Sequence, residues 1–163
     1  MSKIISIGLR DYSKRMLSIS SYLRAQAKET LYYSGKLLGT NEFVNENSKT
    51  LEDALTKVSD TYARFSEASL KVARLGSNFL TVELYGCPTC VEAKHDGLTY
   101  CWIDAGYIAG ALEKMMGKRF AVIETKCRGT GYDYCEFVVT ENRSTEARQP
   151  KSIAFKRFEK SPM

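Results

Sequence analysis

Five cysteines, with one glutamate placed among three of them, are the residues whose types and spacing could do chemistry. Cys101, Cys127 and Cys135 fall within the stretch 101–139, together with Glu124. Three thiolates and a carboxylate suit tetrahedral Zn²⁺, with Zn–S bonds of ~2.3 Å. We therefore expect these four residues to bind zinc. Cysteine is also among the most frequently buried residue types, so core filling is the alternative.

A helix is expected to position the first of these ligands. Residues 99–116 are rich in helix-forming residues and lack proline, and Gly117 supplies a stop. Cys101 is expected in the first turn, where the helix dipole favours a thiolate. Gly106 and Gly110 are four residues apart and share one face, which would let the helix pack closely against a sheet.

Two strands are expected to position the other ligands. Alternating residues would share one strand face, and these are Phe120, Val122 and Glu124, then Cys135, Phe137 and Val139. In a regular strand, Cys127 would point away from Glu124. Cys127 can join the site only if the chain turns at 125–126, and the turn-forming loop 128–133 is consistent with this.

A C-x-x-C pair at Cys87 and Cys90 is the second chemical feature. Such a pair is typical of a zinc site or of dithiol redox chemistry. A redox pair would need a strand-to-helix junction, and the segment after Cys90 is a weak helix start. The competing zinc set would be Cys87 and Cys90 with Cys127 and Cys135. The remaining alternative is two unlinked loop cysteines.

Recognisable catalytic machinery is absent from the sequence. His95 is the only histidine, and it lies beside Asp96 and Gly97 in an expected surface loop. No Ser/His/Asp arrangement, phosphate-cradling loop, or flavin or nicotinamide fingerprint is present. The sequence therefore favours a binding function over catalysis.

The N-terminal part is expected to be helical. A short strand or extended arm at 4–9 would precede a helix from Ser13 to about Leu38, and a second helix would begin near Thr50, which can cap it. The apolar positions of the second helix are Leu51, Leu55, Val58, Tyr62 and Phe65. Because they repeat at steps of three and four residues, they would form one packing face.

The whole pattern predicts an α+β fold, with an antiparallel sheet packed against helices. A hairpin is expected over 69–86 with a turn at 76–78, which gives the order α-α-β-β-α-β-β. A further short strand is possible at 153–155. We interpret the chain as a single domain with N-terminal helices at 1–66, a core at 68–140 and a basic tail at 141–163.

Composition narrows the classes of function. The chain has 163 residues, of which 44% are hydrophobic and 26% charged, with no run long enough to span a bilayer. Five cysteines without a secretory signal argue against a disulfide framework, so we expect a cytoplasmic protein. The tail carries six Lys/Arg against three Glu, but without a nucleic-acid-binding motif it is expected to be solvated.

The cysteine stretch resembles the 4-vinyl reductase domain family. The matching residues are Cys101, Gly106, Gly110, Glu124, Cys127, Gly131, Cys135, Phe137 and Val139. The resemblance covers roughly 68–140 well, and the N-terminal helices loosely. It implies the ligand-binding fold of nitric-oxide sensors, Golgi-transport tethering subunits and aromatic-sensing regulators. It also implies a structural zinc on Cys101, Glu124, Cys127 and Cys135, near a buried ligand pocket.

The expected ligand is a small apolar or aromatic molecule. Candidate lining residues are Trp102, Tyr107, Phe120, Val122, Phe137, Leu80 and Val82. Such walls suit an apolar ligand, although the same side chains could instead fill the core completely. Because no output domain is evident, we expect a homodimeric sensor that signals through a regulatory partner protein. The alternatives are a reductase acting on a tetrapyrrole vinyl group, and a scaffold or tethering subunit.

Overall fold

The computed structural model describes residues 2–142, with side chains for 11–19 and 27–142. The elements are α1 (Ser2–Glu42), α2 (Leu51–Ser66), β1 (Ser69–Leu75), β2 (Phe79–Tyr85), α3 (Trp102–Met116), β3 (Phe120–Lys126), a short 3₁₀ turn (Arg128–Thr130) and β4 (Tyr134–Glu141). This order confirms the predicted α+β arrangement. The possible strand at 153–155 and the basic tail from residue 143 onward lie outside the described residues.

Helix α1 is longer than the sequence pattern predicts. Residues 4–9 are helical, so the expected strand or arm there is wrong. Ile5 and Leu9 are four residues apart, a spacing that fits a helix as well as an extended segment. At the other end, α1 continues past Gly39 to Glu42, because Gly39 lies at a helix contact and does not end the helix.

Helix α2 begins as predicted. The Thr50 hydroxyl accepts a hydrogen bond from the Asp53 backbone N–H at 3.2 Å, which satisfies one of the free donors at the helix start. The apolar face buries Leu55, Val58 and Tyr62, whereas Phe65 is 67% exposed. Most of the predicted packing face is therefore in the core, and its C-terminal end is not.

The sheet is antiparallel, with strand order β1-β2-β4-β3. The hairpin β1–β2 turns at 76–78 as predicted, and β4 lies between β2 and β3. Phe137 of β4 is opposite both Val82 of β2 and Glu124 of β3. The sheet face toward the helices is buried at Leu80, Val82, Leu84, Phe120, Val122, Cys135, Phe137 and Val139. This confirms that Glu124 and Cys135 lie on strand positions that share the predicted face.

Helix α3 packs on α1 through glycines of both helices. A Cβ atom at Gly106 would lie 1.9 Å from the Tyr32 carbonyl oxygen, and one at Gly110 would lie 2.0 Å from that of Lys36. Gly35 and Gly39 of α1 make equally close approaches to the α3 backbone. The expectation that Gly106 and Gly110 face a sheet is therefore wrong. Within residues 2–142, none of the helices combines the length and hydrophobicity that a membrane span requires.

Candidate metal centre and ligand cavity

Four buried thiols form the tightest chemical cluster in the described structure. The Sγ atoms of Cys87, Cys90, Cys101 and Cys135 all lie within 4.8 Å of one another. Sγ–Sγ distances are 3.3 Å for Cys90–Cys135, 3.4 Å for Cys101–Cys135 and 3.5 Å for Cys87–Cys101. A tetrahedral zinc with Zn–S bonds of ~2.3 Å requires separations of about 3.8 Å. The four-thiol group therefore fits zinc after small side-chain adjustments.

Several elements hold this four-thiol group together. Cys87 and Cys90 lie in the connection from β2 to α3, and Cys135 lies in β4. Cys101 immediately precedes α3 as its N-cap residue, rather than lying in the first turn as expected. The Ser13 hydroxyl of α1 donates to the Thr89 carbonyl oxygen at 2.7 Å, which fixes the C-x-x-C turn against α1.

A second group of potential ligands shares Cys101. Ligand atoms of Cys101, Glu124 and Cys127 also lie within 4.8 Å of one another. The Cys101 backbone N–H donates to Glu124 Oε2 at 2.9 Å, whereas the buried Oε1 has no hydrogen-bond partner. A register shift between Glu124 and Lys126 redirects the chain before Cys127, as the sequence argument required. An unpartnered buried carboxylate oxygen is costly, and a cation would satisfy it.

The structure divides the expected ligand sets between these two groups. It brings Cys101, Glu124 and Cys127 together as predicted, but places Cys135 with Cys87 and Cys90. The competing set is divided in the same way, because Cys127 lies outside the four-thiol group. Strand spacing could not reveal this, because the path of the C-x-x-C connection depends on contacts with α1. The zinc site itself stays a prediction.

Burial controls the charge of the cysteine cluster. It raises the pKa of the Cys87 and Cys101 thiols above their ordinary value. It also raises the pKa of Glu124 to about 9, with the nearby Cys127 adding to the effect. A hydrogen bond from Cys101 lowers the pKa of Cys127. Most of these groups therefore hold their protons, and a divalent cation would supply the charge that lets them ionise.

A cavity of about 330 Å³ lies between the three helices, next to the four-thiol group. This helical cavity is lined by Tyr12, Leu38, Glu42, Thr61, Tyr62, Phe65, Ser66, Pro88, Ile103, Asp104 and Tyr107. The Tyr62 hydroxyl donates to Asp104 Oδ1 at 3.0 Å, and Cys87 Sγ lies 3.8 Å from Asp104 Oδ2. Asp104 thus contacts both the cavity and the thiols. The sequence reasoning missed Asp104, although its place three residues after Cys101 was a usable signal.

A second cavity, of about 600 Å³, opens between α1, the start of α3 and the edge strand β3. This edge cavity is lined by Lys28, Glu29, Tyr32, Tyr33, Thr99, Trp102, Ala105, Ala121, Val122, Ile123 and Glu124. It contains both acidic and basic side chains. Glu124 therefore connects the cysteine cluster to this second opening.

The seven predicted lining residues do not surround one cavity. Tyr107 lines the helical cavity, and Trp102 and Val122 line the edge cavity. Leu80 and Phe120 line a surface cleft of about 510 Å³ beside the β1–β2 turn. Val82 and Phe137 are fully buried in the core between sheet and helices. The sheet side chains fill the interior there, so the larger openings lie at the margins of the helices.

Comparison with known proteins agrees with this geometry. Residues 80–141 match the model of the 4-vinyl reductase domain family, which confirms the resemblance seen in the sequence. The match includes all five cysteines and Glu124. An uncharacterised protein of Methanocaldococcus jannaschii is 40% identical over 70 residues, covering 43% of this chain and 40% of that protein. A second from the same organism is 26% identical over 134 residues, covering 81% and 77%. The chain thus spans less than half the length of the first relative.

Solved structures share the fold. A trafficking protein particle complex subunit 3 from Naegleria fowleri, covalently bound to palmitic acid, is 17% identical with a TM-score of 0.69, covering 87% of this chain and 97% of its own. A vinyl-4-reductase family protein from Methanocaldococcus jannaschii is 23% identical with a TM-score of 0.54, covering 69% and 68%. The phenol-responsive sensory domain of the activator PoxR, with phenol, is 15% identical with a TM-score of 0.50, covering 82% and 73%.

Proposed function

We propose that this protein is a zinc-stabilised domain that binds a small apolar or aromatic molecule. The observation that carries the proposal is the position of the helical cavity, which adjoins the four-thiol group through Asp104. A volume of about 330 Å³ is within the range of small-ligand sites, and most of its lining is aromatic or aliphatic. Structures of similar fold hold phenol and palmitic acid, which supports a ligand-binding role.

Zinc would act here as a structural crosslink. Bound to the four thiols, it would join the β2–α3 connection, the start of α3 and strand β4, and so contribute folding free energy directly. The same crosslink would fix Asp104 and the floor of the helical cavity. Ligand binding and metal binding would then stabilise the same part of the fold.

The ligand would be held without a covalent bond to cysteine. Among the described residues, no cysteine lines either the helical cavity or the edge cavity. Specificity would therefore come from cavity shape and from the few polar groups in the lining. A bound ligand would contact α1, α2 and α3 together, and a partner protein could recognise the resulting change in the helices.

Native mass spectrometry with zinc analysis of the same untagged, reduced sample tests this proposal. We expect one zinc per chain and an additional small organic mass, either retained or restored by soaking with small aromatic compounds. Leu38→Trp, which narrows the cavity mouth, should reduce the organic mass, whereas Leu37→Trp is the matched control because Leu37 does not line the cavity. Absence of zinc would contradict the metal part. Absence of any ligand-dependent mass would contradict the binding part.

A second candidate function is that of a subunit in a larger assembly. Tyr33 and Leu37 on α1 are 66% and 62% exposed, and Phe65 on α2 is 67% exposed. Large exposed apolar side chains are typical of interaction surfaces when they are contiguous. Sedimentation of the purified protein, with and without Tyr33→Ser and Leu37→Ser, distinguishes a homodimer through this face from a monomer.

A further inference from the structure

The helical cavity is acidic as well as aromatic. Its lining includes four aromatic side chains (Tyr12, Tyr62, Phe65 and Tyr107), two carboxylates (Asp104 and Glu42), and no Lys, Arg or His from the described part of the chain. We propose that its ligand is a small organic cation, an alkyl- or arylammonium ion, rather than a neutral hydrocarbon. This inference deepens the proposed function and rests on it, because it names the class of ligand for the same cavity.

Asp104 is the anchor for the positive charge. The residue is only 5% exposed, and no basic side chain is hydrogen-bonded to it in the described structure. Its oxygens receive the Tyr62 hydroxyl at 3.0 Å and the weak Cys87 thiol donor at 3.8 Å. A carboxylate offers about four lone-pair positions, so it can still accept an N–H donor from the cavity. Charge-assisted hydrogen bonds of this kind are stronger than neutral ones.

Aromatic faces complete the site for a cation. The Tyr62 and Tyr107 rings pack edge to face, with centroids 5.6 Å apart, and both line the cavity. The negative face of an aromatic ring attracts an ammonium group, most strongly where water is excluded. A neutral apolar ligand would fill the same volume but would leave the Asp104 carboxyl without a charge partner.

Charges around the cavity mouth support the same sign of ligand. Glu42 of α1 is exposed and lines the opening. The guanidinium of Arg64 donates to the Thr61 hydroxyl at 3.0 Å, but Arg64 does not line the cavity. The edge cavity offers a useful contrast, because Lys28 lies among its lining residues together with Glu29 and Glu124. The sequence pattern did not reveal this selectivity, since the acids come from α1 and α3.

Isothermal titration calorimetry with three ring compounds of similar size tests the inference on the zinc-loaded protein. The probes are benzylammonium, benzyl alcohol and benzoate, which are a cation, a neutral molecule and an anion. We expect benzylammonium to bind about ten-fold more tightly than benzyl alcohol, and benzoate to bind most weakly. Asp104→Asn keeps the size of the side chain but removes its charge, and should abolish the preference for the cation.

Two further variants keep the test decisive if Asp104→Asn does not fold. Glu42→Gln at the exposed mouth should reduce the preference about two- to three-fold, because solvent screens that charge. Asp60→Asn, an exposed position on α2 outside the cavity, should leave it unchanged. Equal or tighter binding of benzyl alcohol to the wild-type protein overturns the cation inference and leaves the proposed function standing. No binding of any probe overturns both.

Discussion

Gly106 of α3 lies directly against the backbone of Tyr32 in α1, so that a Cβ atom on Gly106 would be 1.9 Å from the Tyr32 carbonyl oxygen. Gly35 of α1 makes the reciprocal approach, 2.0 Å from the carbonyl oxygen of Ile103. This contact places the two helices closer than side chains would normally allow. It fixes the start of α3, and hence Cys101 and Asp104, relative to α1.

Replacing Gly106 with alanine should therefore destabilise the protein. Alanine favours a helix by about 0.5–1 kcal/mol, but the added methyl would force the backbones apart, and such overpacking costs on the order of 1–3 kcal/mol or more. We expect a net loss of roughly 2 kcal/mol, measured by urea unfolding. Ser34→Ala, at an exposed position of α1, is the control and should be neutral or slightly stabilising. An unchanged midpoint for Gly106→Ala would show that the helices can separate without cost.

Glu113 of α3 connects three elements, and its loss should cost more than loss of its ionic partner. Its Oε1 atom accepts from Lys36 Nζ at 2.8 Å and from the Phe120 backbone N–H at 3.1 Å. Glu113→Ala would leave the Phe120 N–H unpaired, so we expect a loss of about 2 kcal/mol. Lys36→Met removes only the partly exposed ion pair and should cost less than about 1 kcal/mol.

The exposed pair Lys118–Glu141 provides a comparison for this result. Its atoms are 3.2 Å apart, but the side chains are 52% and 38% exposed. Lys118→Met should change the unfolding free energy by less than about 0.5 kcal/mol. If Glu113→Ala and Lys36→Met were equally destabilising, the hydrogen bond to Phe120 would contribute nothing beyond the ion pair.

Local pattern predicted much of the fold, because it depends on periodicity. The alternation around Phe120 and Phe137 correctly indicated two strands with a shared buried face, and Gly117 correctly marked the end of α3, where its φ is 65°. The partner of Gly106 was predicted wrongly, because a missing side chain indicates close packing without identifying the neighbour. That neighbour is in α1, far away in the sequence.

The candidate site was predictable only in part for the same reason. The pairing of Glu124 with Cys127 followed from strand geometry and a turn. The association of Cys87 and Cys90 with Cys135 depends on how the C-x-x-C connection is held by Ser13, a long-range hydrogen bond. The helical cavity depends on the packing of three helices, which apolar spacing alone does not determine.

Metal content of single variants should identify which cysteine group binds zinc. If the four-thiol group is the site, Cys87→Ser and Cys90→Ser should reduce zinc from about one per chain to near zero and lower the melting temperature. Cys127→Ser and Glu124→Gln should retain zinc, because they belong to the other group. Elemental analysis after gel filtration in a reducing buffer measures this directly.

The opposite result would have a clear meaning. Zinc lost from Cys127→Ser and retained by Cys87→Ser would indicate the set of Cys101, Glu124, Cys127 and Cys135. Cys101→Ser should lose zinc under either arrangement, because Cys101 is common to both groups, so it serves as the positive control. Wild-type protein treated with a chelator should reproduce the lower melting temperature of the zinc-free variants.

Tyr62 should make the protein sensitive to alkali. Burial, reinforced by the Asp104 carboxylate, raises the pKa of Tyr62 well above its ordinary value of 10.0. Above pH 10 the unfolded chain releases this proton while the folded chain retains it, so the unfolded state binds fewer protons and stability falls as pH rises. The stabilisation is fully present below pH 10, and its loss from this group is at most about 1.4 kcal/mol per pH unit.

Urea unfolding between pH 9 and about pH 11 measures the effect of Tyr62, and it should show a shallower decline for Tyr62→Phe than for wild type. Tyr33→Phe, at a site 66% exposed, is the matched control and should follow the wild-type slope. The slope rather than the absolute stability is the informative quantity, because Tyr62→Phe also removes the hydrogen bond to Asp104 at every pH. Identical slopes for Tyr62→Phe and wild type would mean that the hydroxyl reaches solvent and that the contact between Tyr62 and Asp104 is not maintained.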